Sequence, residues 1–96
     1  MGKFTLGQLV ATRRIYNATR SDPDFARFVD DSLRRYLACD WGDLFDEDKA
    51  TNDESVAQGD GRIMGAYVSP DQKYGKIWII TEWDRSCTTI LFPDEY

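Results

Sequence analysis

The chain has 96 residues, a net charge of −5, and no histidine. That length holds one domain, residues 1–96, with a modest core, and the missing histidine removes Ser-His-Asp and Cys-His catalysis and the usual zinc sites. Cys39 and Cys87 are too few and too far apart for a disulfide scaffold or metal framework, so two reduced thiols are expected.

Residues 4–12, FTLGQLVAT, read as a short extended segment interrupted by Gly7. Residues 13–19, RRIYNAT, read as a brief helix ended by Asn17 and Ser-Asp-Pro. The clearest helix start follows in SDPDF. Asp22 can cap, Pro23 suits the first helical position, and Asp24 complements the helix dipole. The helix is predicted over 22–38, with Phe25, Phe28, Val29, Leu33, Tyr36 and Leu37 on one face. Residues 40–43, DWGD, form a turn. A further helix is predicted from Asp46 or Glu47 to Ala57. Its apolar face is weak, made of Phe45, Ala50 and Val56 or Ala57, and Gly59-Asp60-Gly61 stops it. The last third has the period of strands: 62–69, 76–83 and 87–92, joined by short turns. The expected fold class is therefore α+β, with N-terminal helices followed by a three-stranded antiparallel sheet.

Within KIWIITEW, Ile77 and Ile79 share one face and Trp78 and Ile80 the other. One face should pack on the main helix. The other is expected to lie under the N-terminal segment, through Phe4, Leu6 and Leu9, or against a second copy in a homodimer. Tyr96 can also fold onto the sheet.

The charge is unevenly placed. Residues 40–54, DWGDLFDEDKATNDE, hold seven carboxylates and one lysine, a local charge of −6. The remainder of the chain is then about +1, so the chain is dipolar rather than uniformly acidic. The belt fails as a calcium loop. Counted from Asp43, position 3 is Phe45 and position 6 is Asp48, where oxygen ligands and a glycine are needed. A Mg²⁺ site from Asp40, Asp43 and Glu82 is a geometric alternative. The bland reading is a solvated turn and acidic helix start. The functional one is an interaction surface of Asp40, Trp41, Gly42, Asp43, Asp46, Glu47 and Asp48, whose carboxylates oppose a basic protein. Trp41 is either a lid folded over the core or an exposed anchor of that surface.

The basic pole is Lys3, Arg13, Arg14, Arg20, Arg27, Arg34 and Arg35. Interspersed Asp24, Asp30 and Asp31, with Arg27 and Asp31 four apart, favour a salt-bridged solvent face over direct nucleic-acid binding. Around the second hairpin, Glu82, Asp84 and Arg85 form an alternative catalytic group, with a carboxylate as base and Arg85 clamping an anion. In the structural alternative, Asp84 holds the turn and Arg85 pairs with Glu82.

Three stretches carry a resemblance: FTLGQLVAT at 4–12, DWGDLFDEDKATND at 40–53 and KIWIITEWDRSCTTILFPDEY at 76–96. They resemble a family of small plasmid-related proteins found on mobile elements of Gram-positive bacteria. The chain departs from the commoner pattern of that family at Trp83 and Cys87, where smaller residues are more usual. The family brings no assigned activity, so the resemblance implies an accessory protein of a mobile element and no catalytic residue.

The combined expectation is a non-catalytic, acidic protein-interaction module without a cofactor. Its partner is a protein with a basic surface, alongside a homodimer, and not a membrane. The start, MGKFTLGQLVATRR, lacks a secretory pattern, which leaves the cytoplasm as the expected compartment. The alternative is a small ribonuclease or Mg-dependent phosphodiesterase.

Overall fold

A computed structural model describes residues 3–96. The chain opens with a strand, β1 (Gln8–Ala11). Three helices follow, α1 (Arg13–Ser21), α2 (Pro23–Leu37) and α3 (Asp46–Gln58). Strands β2 (Ile63–Val68), β3 (Lys76–Thr81) and β4 (Cys87–Leu91) come next, then a 3-10 turn at Pro93–Glu95. The sheet has four strands in the order β1-β4-β3-β2. The last three form the antiparallel meander, and β1 pairs parallel to β4, with Gln8 opposite Cys87 and Ala11 opposite Ile90.

This corrects the expected class. Helices do not precede the whole sheet, and the sheet is mixed and four-stranded. The reason is physical. A parallel strand needs a crossover, and here nearly the whole chain separates β1 from β4. Four residues are too few for a period-2 pattern to announce their pairing.

Local chemistry explains the helices. Asp22 ends α1 and begins α2: its amide donates to the Ala18 carbonyl, and its carboxylate accepts from the amides of Asp24 and Phe25. Those bonds hold the Asp22 carboxyl below its ordinary range. The solvent face of α2 carries ion pairs, but Asp31 pairs with Arg34, while Arg27 reaches Asp24. The expected Arg27–Asp31 pair does not form.

The core lies between the sheet and α1 with α2. Ile63, Tyr67, Ile77, Ile79 and Ile90 meet Ile15, Phe25 and Tyr36, and Phe4 and Leu6 pack against this cluster. Within it, Tyr36 contacts Thr81 at 2.7 Å, Thr81 contacts Thr88 at 2.7 Å, and Thr88 donates to the Leu6 carbonyl at 2.8 Å. Tyr36 also lies 3.1 Å from the Ile63 carbonyl. Three hydroxyl protons serve four oxygen contacts ending in two acceptors. The three hydroxyls thus form one continuous buried chain from the Ile63 carbonyl to the Leu6 carbonyl. This chain ties the N-terminal segment to the sheet. Burial pushes the phenols of Tyr36 and Tyr67 well above the usual tyrosine range, so both stay neutral.

The N-terminal segment does not cover the second sheet face. Phe4 and Leu6 sit on the helix side, and Leu9 is exposed. Instead Tyr96 meets Trp78 edge-on, ring centroids 5.6 Å apart, and its hydroxyl accepts from Arg62.

Candidate functional site

The acidic belt is built around the outer edge of β2. Alternation directs the backbone groups of Met64 and Ala66 away from β3, and the belt meets them. The Asp43 amide donates to the Ala66 carbonyl at 2.7 Å, and the Ala66 amide donates to the Trp41 carbonyl at 3.0 Å. Gly42 sits at φ +78°, and a Cβ there would lie 2.0 Å from the Ala66 oxygen, so only glycine permits this approach. Nearly two turns into α3, the Asn52 side chain donates to the Met64 carbonyl at 2.7 Å and accepts from its amide at 3.2 Å. The Asn52 amide thus stands in for a neighbouring strand. It is also the only buried residue of α3, so this helix docks mainly by polar contacts, with Val56 as the one side chain of its weak apolar face that packs against the core.

Trp41 is 2% exposed. It packs against Phe4 and Tyr36, and its indole N–H donates to Asp53 at 2.9 Å. It is therefore the lid, and its ring is unavailable as an anchor. Asp40 takes a two-point bond from Arg35, 2.7 and 3.2 Å, and accepts from the Gly42 amide. The Arg35 bond is the main reason its carboxyl is held below the ordinary range. Asp43 pairs with Lys76 at 3.1 Å.

Asp46, Glu47 and Asp48 are different. All three are exposed in the first turn of α3, and none has an ion-pair partner among the described residues. They favour the helix dipole, which compensates for the lack of a side-chain cap at Phe45. Phe45 itself is 81% exposed. Beside it lies an open groove of ≈ 300 Å³ lined by Leu44, Phe45, Asp48, Met64, Ala66 and Trp78, with Asp43 and Lys76 at its rim. Phe45, expected on the weak apolar face of α3, points to solvent instead. Its position as N-cap, before the first helical turn, was the signal that it need not point inward.

The alternative catalytic group is not assembled as an anion clamp. The Arg85 guanidinium donates to the carbonyls of Gly61 at 2.7 Å and Ser55 at 2.9 Å, with longer bonds to Glu82, Trp83 and Asp60 carbonyls. It binds the Glu82 backbone, not its carboxylate, so the expected Arg85–Glu82 ion pair is absent as well. Arg85 instead ties the end of α3 to the β3–β4 turn, and adopts φ +61° to do so. Asp84 is occupied in the same turn, where bonds from Ser86 lower its carboxyl. Among the described residues, no three Asp, Glu or Cys side chains are grouped to hold a metal ion, which includes Asp40, Asp43 and Glu82. Cys39 and Cys87 are free thiols, and no described helix is long and apolar enough to cross a membrane.

No protein family, curated protein or solved structure matches this chain.

Proposed function

We propose that the protein is a non-catalytic interaction module whose working surface is the start of α3. The observation that carries this reading is the placement of Phe45 beside three ion-pair-free carboxylates and an open groove. An exposed aromatic ring is a natural anchor. The carboxylates of Asp46, Glu47 and Asp48 would steer a basic surface toward it, and Asp43 would rim the contact. Asp40, Trp41 and Gly42 hold this surface in place from beneath. A cationic protein, rather than a nucleic acid or a membrane, is the partner this charge suits. The role as an accessory of a bacterial mobile element rests on the resemblance of residues 4–12, 40–53 and 76–96, and the cytoplasm as its compartment on the sequence MGKFTLGQLVATRR, which has no secretory pattern. Self-association belongs to the same reading.

The test is capture from the native host, followed by titration of the recovered partner against salt. Replacing Asp43, Asp46, Glu47 and Asp48 by Asn or Gln should weaken binding and flatten its salt dependence. Phe45→Ala should weaken it without changing that dependence. Binding unaffected by either change would remove the α3 surface as the contact.

A further inference from the structure

Strand β1 forms the other edge of the sheet, and it is open. All four of its residues are exposed, with Leu9 at 49% and Val10 at 39%. The amides of Gln8 and Thr12 donate to the carbonyls of Ser86 and Ile90, at 3.0 and 3.1 Å. Alternation then points the N–H and C=O of Leu9 and Ala11 away from β4. Among the described residues, no other hydrogen bond reaches those four groups. Apart from its shortness, the strand lacks the usual protections of an edge. Its sequence, QLVA, holds no proline and no charge, and its register is unbroken by a bulge. Gly7, at φ +63°, turns the preceding residues away, and Phe4 and Leu6 join the core instead of shielding the strand.

We propose that this edge pairs antiparallel with the same edge of a second copy of the chain. Only one register uses the outward groups fully. Leu9 stands opposite the partner's Ala11, and Val10 lies on the two-fold axis facing the partner's Val10. Leu9 and Ala11 then exchange N–H···O bonds in both directions, which joins two four-stranded sheets into one. The edge is self-complementary in charge as well as in hydrogen bonding. Gln8 meets the partner's Thr12, so no charged residue meets another. The nearest cation, Arg13, falls opposite the partner's Gly7 and roughly 20 Å from the partner's Arg13, about twice the screening length at 0.1 M salt. A second copy offers the same uncharged edge by symmetry. Four residues per side bury well under the roughly 800 Å² per partner of a stable interface. The dimer is therefore weak. It leaves the acidic surface at the opposite edge free.

Sedimentation of the full chain between about 10 μM and 1 mM, the range in which weak association becomes visible, should show the mass rising from 11.1 kDa toward twice that value. Val10→Lys sets two ammonium groups face to face on the axis, and Leu9→Pro removes an outward amide that the monomer does not use. Each should give a monomer at every concentration, with the far-ultraviolet spectrum unchanged. Val10→Cys, with Cys39 and Cys87 replaced by Ser, places two thiols where Cα atoms lie about 4.5 Å apart, within reach of a disulfide. It should oxidise to a covalent dimer much faster than Gln8→Cys in the same background, whose copies lie roughly 14 Å apart. A wild-type chain that stays monomeric to the highest concentration overturns the proposal. So does a dimer that survives both Val10→Lys and Leu9→Pro, or equal cross-linking at positions 8 and 10, which also decides the matter if a substitution impairs folding.

Discussion

The two edges of the sheet solve one problem in opposite ways. At the β2 edge, the outward groups of Met64 and Ala66 are met by the Asn52 side chain and by residues 41–43. At the β1 edge, the equivalent groups of Leu9 and Ala11 are left to solvent. An edge strand's backbone asks for a partner wherever it lies. One edge is therefore closed within the chain, by an acidic segment whose remaining carboxylates face outward. The other remains able to accept a strand. The acids of residues 40–54 are thus not one feature. Asp40, Asp43 and Asp53 are bound within the fold, while Asp46, Glu47 and Asp48 have no ion-pair partner among the described residues.

The contrast can be broken most forcefully at Gly42. Gly42→Ala forces a Cβ against the Ala66 carbonyl at a positive φ. It should destabilise the chain by about 3 kcal/mol, measured by urea unfolding. A midpoint unchanged from wild type would mean that residues 41–43 do not close this edge. Asn52→Ala comes next. It strips both outward groups of Met64 of their partner in a part-buried site and should cost about 2 kcal/mol. Unlike Gly42→Ala, it leaves no steric conflict, and because Ala favours a helix more than Asn does, the loss is a lower bound on what the hydrogen bonds contribute.

A smaller effect tests the Arg35–Asp40 pair that anchors the closed edge. The folded Asp40 carboxyl titrates below its ordinary value of 3.8 because Arg35 bonds its charged form. The pair's contribution is therefore complete above that value, and fades as the pH falls below it toward the folded pKa. Both side chains are about half exposed, so solvent screening limits the contribution to less than about 1 kcal/mol. Asp40→Asn should lower stability slightly at neutral pH and leave a shallower acid limb between pH 4 and lower values. An acid limb identical to wild type would assign that loss to other carboxyls. The smallest effect sharpens the comparison from the open side. Val10→Lys should change the monomer's stability by no more than about 0.5 kcal/mol, measured by dilute thermal unfolding. A cost equal to that of Asn52→Ala would show that the β1 edge is already engaged within the chain.

Much of the element pattern was legible. Asp22-Pro23 marks the start of α2 because a carboxylate cap and a residue without an N–H both suit a helix N-terminus, and the helix runs Pro23–Leu37. The β-branched and aromatic run at 76–83 gave β3, and Gly59 marked the end of α3, where it adopts a left-handed φ. Less of the candidate site was legible. The belt was visible as charge, but its division into bound and free carboxylates was not. Arg85 looked like a partner for Glu82, since opposite charges in a tight turn suggest a pair. In the fold, five backbone carbonyls converge on it instead.

What the sequence determined by itself were the properties carried by neighbouring residues: helix caps, turn glycines, the alternation of Ile77 and Ile79 with Trp78 and Ile80, and the net charge. Tertiary structure alone decided that Gln8–Ala11 joins the sheet parallel to β4. It also decided that Trp41 is buried and Phe45 exposed, and that Asn52 ends the β2 edge. Each of those outcomes depends on groups far apart in the chain meeting at hydrogen-bonding or packing distance. Periodicity and propensity describe only the few residues on either side of a position, and hold no record of what will stand across from it.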